Sequence, residues 1–165
     1  MKFTDHFSSQ SSDYSLYRPD YPPALFTYLA SLSPSTELAW DCATGNGQAA
    51  SCLASHFKKV IATQAVHNID YRVASAEQSG IESGCIDLIM VAQALHWFDF
   101  DNFYREARRV LTPEGILAVV SYQLPRITTE IDTIIDMFHR DIIGRYWPAE
   151  RCHIDTAYIN IPFPL

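Results

Sequence analysis

The chain has 165 residues, of which 48% are hydrophobic, 13% aromatic and 19% charged, with six Gly and nine Pro. These are the proportions of one globular domain, and they exclude disorder, collagen and coiled coil. Twelve Lys and Arg against nineteen Asp and Glu leave a net charge of −7, so neither nucleic acid phosphates nor an anionic membrane is expected as a partner.

No run approaches the roughly 18 apolar residues of a membrane helix, and the start, Met1-Lys2-Phe3-Thr4-Asp5-His6, lacks the apolar stretch of a signal peptide. A cytoplasmic protein is therefore expected. Cys42, Cys52, Cys85 and Cys152 are widely spaced and form no CxxC pair, which predicts ordinary buried thiols with neither a disulfide nor a metal site.

Residues 1–23 are polar and aromatic, and the prolines of Tyr17-Arg18-Pro19-Asp20-Tyr21-Pro22-Pro23 forbid continuous helix. They read as an N-terminal arm or lid. Ala24 to Ser31 carries Leu25, Phe26, Tyr28 and Leu29 at helical spacing. Leu38-Ala39-Trp40-Asp41-Cys42 is a short apolar strand running into a glycine turn, and Gln48 to Phe57 reads as helix. Further strands are predicted at Lys59–Thr63, Tyr71–Ser75, Ile86–Val91 and Ile116–Val120. Phe100 to Leu111, with Phe103, Tyr104, Ala107 and Val110 on one stripe, predicts a helix ending in a turn at Thr112-Pro113-Glu114-Gly115. Thr129 to Ile143 predicts another, and Ile159–Phe163 is the one strand-like stretch near the end. Apolar strands alternating with helices imply an α/β, doubly wound, mostly parallel sheet covered on both faces.

Asp41-Cys42-Ala43-Thr44-Gly45-Asn46-Gly47 sits at the carboxyl end of the first strand, where this architecture binds ligands. Gly45-x-Gly47-x-x-Ala50 also fits a dinucleotide fingerprint, so a nicotinamide-dependent oxidoreductase is one alternative. Asp41 at the strand end argues against it, because a dinucleotide loop turns directly after the strand. Asp41-x-Ala43-x-Gly45-x-Gly47 instead resembles the first motif of class I S-adenosylmethionine-dependent methyltransferases. Ala74-Ser75-Ala76-Glu77 resembles that family's acidic turn at the adenine, and Asp87 to Phe98 its fourth strand and cofactor-facing loop. Arg109 to Leu117 resembles its turn into strand five. Tyr17-Arg18-Pro19-x-Tyr21-Pro22, His96-Trp97-Phe98 and Tyr146-Trp147-Pro148-x-x-Arg151 are similar to the small-molecule subgroup around trans-aconitate methyltransferase.

The resemblance implies a seven-stranded Rossmann-like sheet in one domain, with the cofactor-binding core at 38–121 and the start of a substrate-side region at 122–165. It implies S-adenosylmethionine as cofactor and transfer to a small-molecule acceptor, preferably at an oxygen such as a carboxylate. The cofactor's amino-acid end is expected at Asp41, Ala43, Gly45 and Gly47, its adenine near Ala76 and Glu77, and its sulfonium along Gln93, Ala94, His96 and Trp97. Tyr17, Arg18, Trp147 and Arg151 are candidates for the substrate or lid, and Arg126 and Arg145 join Arg18 and Arg151 as possible carboxylate forks. No catalytic base is assigned, because positioning and electrostatics carry such a displacement.

Other roles stand beside these. Asp41 can simply cap a helix, Glu77 can be solvated, His96 and Trp97 can be packing residues, and Tyr17 and Arg18 can belong to a structural arm. A monomer and a homodimer both remain open.

Two departures are visible. Only Gln64 to Ile69 separate strand two from strand three, too few for a parallel crossover, which takes about a dozen residues. The acid that the family places after strand two is replaced by Gln64. Together these imply that a segment with that acid and most of a helix is absent here, Gln64-Ala65-Val66 being the helix's remnant. The two closing antiparallel strands are likewise expected to be absent. A non-catalytic protein retaining the fold is the third alternative.

Overall fold

The computed structural model describes residues 19–62, 69–71 and 74–163. Most of the expected N-terminal arm, including Tyr17 and Arg18, and the short junction after strand two lie outside the described residues.

Five strands form one parallel sheet in the order β3-β2-β1-β4-β5. They are β1 (Leu38–Cys42), β2 (Lys59–Ala62), β3 (Ile69–Tyr71), β4 (Ile86–Ala92) and β5 (Leu111–Val120). The chain builds outward from β1 to β3 and returns to place β4 on the other side of β1, so the topological switch falls between β1 and β4. The antiparallel closing hairpin is absent among the described residues. Ile159–Phe163 is not a strand, because Ile161 instead turns inward and packs on the core.

Strand periodicity sorts the core into two layers. Trp40 and Cys42 of β1 join Ile89 and Val91 of β4 on one face, under the helix α3 (Phe100–Val110). Ala39 of β1 with Leu88 and Met90 of β4 face the other way, under α1 (Pro23–Leu32) and α2 (Gln48–Leu53). α3 buries Phe103, Tyr104, Ala107 and Val110, the expected stripe, and starts at Asp99, whose carboxylate accepts from Asn102 N at 3.2 Å.

α2 is shorter than Gln48–Phe57 because its last turn tightens. Ser55 N and His56 N donate to carbonyls three residues back, at 3.2 and 2.9 Å, and this delivers Phe57 to the core. β3 begins earlier than expected, at Ile69, and Ser75 instead bridges Gln78 across a tight turn. β5 starts at Leu111 directly from α3, since Gly84 N and Cys85 N already bond Arg109 O and Val110 O at 2.9 Å. The expected Thr112–Gly115 turn survives inside β5 as a bulge, between the pairs Ile86↔Leu111 and Leu88↔Ile116.

Past β5, α4 (Thr129–Met137) runs into a π-helical turn at Phe138–Ile142, and α5 (Cys152–Asp155) precedes the final segment. The expectation of four buried thiols is corrected: Cys42 is buried, Cys52 and Cys85 are half-buried and Cys152 is exposed, all four free.

Candidate active site

The turn between β1 and α2 is built from left-handed residues. Ala43, Gly45 and Gly47 have φ of 59°, 56° and 85°. Space around Gly45 is open, so glycine serves the backbone angle there rather than a close approach. Ala43 has a Cβ and holds the same angle at a cost on the order of 1 kcal/mol, a strain characteristic of functional sites. The turn is fixed from inside. Asp41, 1% exposed, accepts a hydrogen bond from Thr44 Oγ1, and Gly47 N donates to Thr44 O at 3.0 Å.

This turn lines a small cleft with Tyr21 and with Ala92 at the end of β4. Asn46 Nδ2, a donor, and Gln48 Oε1, an acceptor, are buried there with no hydrogen-bond partner among the described residues. Such pairs of buried orphans are costly in an isolated protein, and they match the carboxylate and ammonium of an amino acid. Gln48 is held by its other end, Nε2 donating to Asp20 Oδ1 at 3.2 Å.

A second strained residue closes β4. Gln93 has φ of 57°, its N–H donates to Val120 O at 2.8 Å, and its side-chain amide donates to Tyr122 O at 3.2 Å. Ala43 and Gln93 therefore both follow the carboxyl ends of neighbouring strands, one on each side of the switch point. Ala94 is buried and leads into a single 3-10 turn, Leu95–Trp97. Within it Trp97 is 43% exposed while His96 is buried, with Nδ1 2.9 Å from Tyr158 Oη. Burial first, and then the neighbouring His153 and Arg151, lower the His96 pKa to about 4, so the ring is neutral at pH 7.

Ala76 packs on the core and Glu77 anchors the Ser75–Gln78 turn to α3. Glu77 Oε1 accepts from Asp99 N at 3.1 Å and Oε2 accepts from Ser75 Oγ. Burial, followed by the negative charges of Asp41 and Glu77, raises the Cys42 thiol.

The structure brings Asp41, Ala43, Gly45 and Gly47 together in the first turn, and Gln93, Ala94, His96 and Trp97 along the second. Arg151 reaches the His96 side, its guanidinium 4.2 Å over the Trp147 ring and 3.6 Å from Asp155. Arg126 pairs with Asp136 at 2.9 Å and Arg145 lies 4.9 Å over Tyr146, both exposed. Thr44 and Tyr158 were missed from sequence. Thr44 lies inside the quoted motif, whereas Tyr158, 62 residues from His96, carries no local signal.

A methyltransferase-domain family profile matches residues 40–119. A protein named as a methyltransferase in Dictyostelium discoideum is 38% identical over 174 residues, covering 97% of this chain and 66% of the relative. A methyltransferase-like protein of Schizosaccharomyces pombe is 30% identical, covering 85% and 58%. A structure solved as a type II methyltransferase of Anaeromyxobacter dehalogenans superposes with a TM-score of 0.81 at 38% identity, covering 90% of this chain and 67% of that one. The chain thus spans between about half and two thirds of the curated relatives it matches most strongly. The 174-residue alignment is longer than the 165 residues here, so the Dictyostelium protein carries extra residues inside the matched region. By profile, relatives and sheet, the chain belongs to the class I S-adenosylmethionine-dependent methyltransferase family.

Proposed function

We propose that this chain works in a methyltransferase that transfers the methyl of S-adenosylmethionine to an oxygen, hydroxyl or carboxylate, of a small molecule. What chiefly supports it is the pair of strained residues, Ala43 and Gln93, at the ends of adjacent strands beside two buried orphan polar groups. When bound, the cofactor supplies an electrophilic methyl on a sulfonium. Asn46 and Gln48, with the backbone of Ala43, Gly45 and Gly47, would hold the amino-acid end, and Asp41 stiffens their turn. Ala76 and Glu77 would border the adenine. Gln93, Ala94, His96 and Trp97 would line the sulfonium side, where the exposed Trp97 face favours a cation. Residues 38–121 act as the cofactor core, 1–23 as arm or lid, and 122–165 as the start of the substrate side, with Tyr17, Arg18, Trp147 and Arg151 on it.

Likeness to the trans-aconitate subgroup belongs to this reading, as do a cytoplasmic location and a monomeric or homodimeric state. Among the described residues no helix is long and apolar enough to cross a membrane. One observation favours a second reading, a binding protein that kept the fold: Thr63 to Asn68 contain no acid for the cofactor's ribose hydroxyls. Incubation with methyl-labelled S-adenosylmethionine and separate panels of phenols, small carboxylic acids, peptides and nucleic acids decides between them. Label in phenols or acids alone supports the first reading; cofactor binding with no label in any panel supports the second.

A further inference from the structure

A second cavity, about 400 Å³ in volume, opens on the other end of the post-β4 turn. Ala92 lines the cofactor cleft and Leu95, three residues on, lines this cavity, so one short turn touches both. Its other walls are the end of β5, through Val119 and Val120, Ser121 just beyond it, and the final segment, through Tyr158, Ile161 and Phe163. The volume lies in the range of small-molecule sites, roughly 300–1,000 Å³.

The lining carries no charged side chain, and its hydrogen-bonding side chains are two hydroxyls, Ser121 and Tyr158. An ionised carboxylate placed there would lose its hydration without a counter-charge, whereas an apolar molecule with one hydroxyl would not. Arg151, which acts on the His96 side, is engaged with the Trp147 face and with Asp155.

Ala157 and Tyr158 have φ of 52° and 58°, two consecutive non-glycine residues in the left-handed region. Each costs on the order of 1 kcal/mol and persists only where the surroundings impose it. The backbone is set by the turn that ends α5, where Ala157 N donates to Ile154 O at 2.9 Å and Tyr158 N to His153 O at 2.8 Å. The side chain is set by His96, whose Nδ1 lies 2.9 Å from Tyr158 Oη and whose ring stacks on the tyrosine at 6.2 Å.

We propose that this cavity receives the methyl acceptor, an uncharged apolar alcohol or phenol whose hydroxyl bonds to Tyr158 Oη, with His96 as the residue that positions Tyr158. The inference rests on the methyltransferase reading above and narrows its oxygen acceptor from carboxylate to hydroxyl. In the transfer the acceptor oxygen forms the new bond to the methyl carbon. The carbon–sulfur bond breaks with its electron pair left on sulfur, and the hydroxyl proton passes to water. With His96 held near 4 and Tyr158 raised to about 12, mainly by burial, the pair stays neutral at pH 7 and orients the hydroxyl rather than deprotonating it.

Calorimetry of the full chain saturated with S-adenosylhomocysteine, titrated with 1-naphthol, 1-naphthoate and naphthalene, tests the proposal. 1-Naphthol is expected to bind and 1-naphthoate to bind at least tenfold more weakly. Tyr158→Phe is expected to weaken 1-naphthol about fivefold to tenfold while leaving naphthalene unchanged, which a general loss of packing would not do. His96→Leu should reproduce that loss and His96→Gln, which can still bond the tyrosine, should restore part of it. Ser121→Trp, filling the mouth, should abolish binding of both neutral probes without altering S-adenosylhomocysteine binding. Equal affinity for naphthoate, an unaffected Tyr158→Phe, or an unaffected Ser121→Trp would overturn the proposal and leave the methyltransferase reading standing. Naphthol binding to a protein that does not take S-adenosylhomocysteine would instead defeat the methyltransferase reading, and the acceptor role with it.

Discussion

Protonation of His96 offers a sharp test of how the post-β4 turn is built. The ring is buried against Tyr158, with Arg151 and His153 opposing its charge and Glu150 favouring it, and its pKa falls from 6.5 to about 4. The unfolded chain therefore takes up a proton below about pH 6.5, and the folded chain only near pH 4. Stability from this group is complete above pH 6.5 and is lost as the pH falls towards 4. At pH 5 the two pKa values correspond to a loss of about 2 kcal/mol relative to pH 7.5, against almost none at neutrality. Glu106, lowered to about 2 chiefly by its bond to Arg109, remains ionised at pH 5 and barely enters. His96→Gln removes the titration while keeping a hydrogen-bonding side chain. Urea unfolding at about pH 7.5 and pH 5 should show the natural protein losing about 2 kcal/mol more than the variant, a midpoint difference near 1 M. Equal losses in both proteins would refute the buried, neutral His96.

Three further outcomes follow from named contacts. Gly115→Ala places a Cβ 2.8 Å from both Ile86 O and Leu111 Cδ2, so the bulge must open, and thermal unfolding should show a loss of about 1–3 kcal/mol. Glu106 accepts from Ser79 N at 2.8 Å and from Arg109 Nε at 2.8 Å, and Arg109 also donates to Ile81 O at 2.7 Å. Glu106→Ala should therefore cost about 3 kcal/mol in urea unfolding, and Ser79→Ala about 1 kcal/mol. Asp41→Asn, which loosens the turn through Thr44, should weaken S-adenosylhomocysteine binding at least tenfold by calorimetry with a much smaller effect on stability.

The parts legible in the sequence were those set by local pattern. β1 and β4 announced themselves as apolar runs because both faces of a central parallel strand are covered, and α3 by its apolar stripe. The glycine turn was legible because Gly45 and Gly47 stand where φ is positive. Ala43 and Gln93 share that conformation without a residue type that announces it, so their strain appears only in the fold. The beginning of β5 was hidden for a related reason: Thr112-Pro113-Glu114-Gly115 has the composition of a turn, and only pairing with β4 draws Leu111 into the strand. The Glu77–Asp99 and His96–Tyr158 contacts join residues 22 and 62 positions apart, which no periodicity encodes. The brevity of the β2–β3 connection, by contrast, was plain from counting. The two strands nevertheless pair in parallel, Val60 with Ile69 and Ala62 with Tyr71.

The central claim is that the cleft between the carboxyl ends of β1 and β4 binds S-adenosylmethionine and not a dinucleotide. Titrating the purified chain with S-adenosylhomocysteine, and with NAD under identical conditions, tests it most directly. The account predicts binding of S-adenosylhomocysteine alone, weakened by Asp41→Asn. A folded chain that binds neither compound, or that prefers NAD, would contradict it.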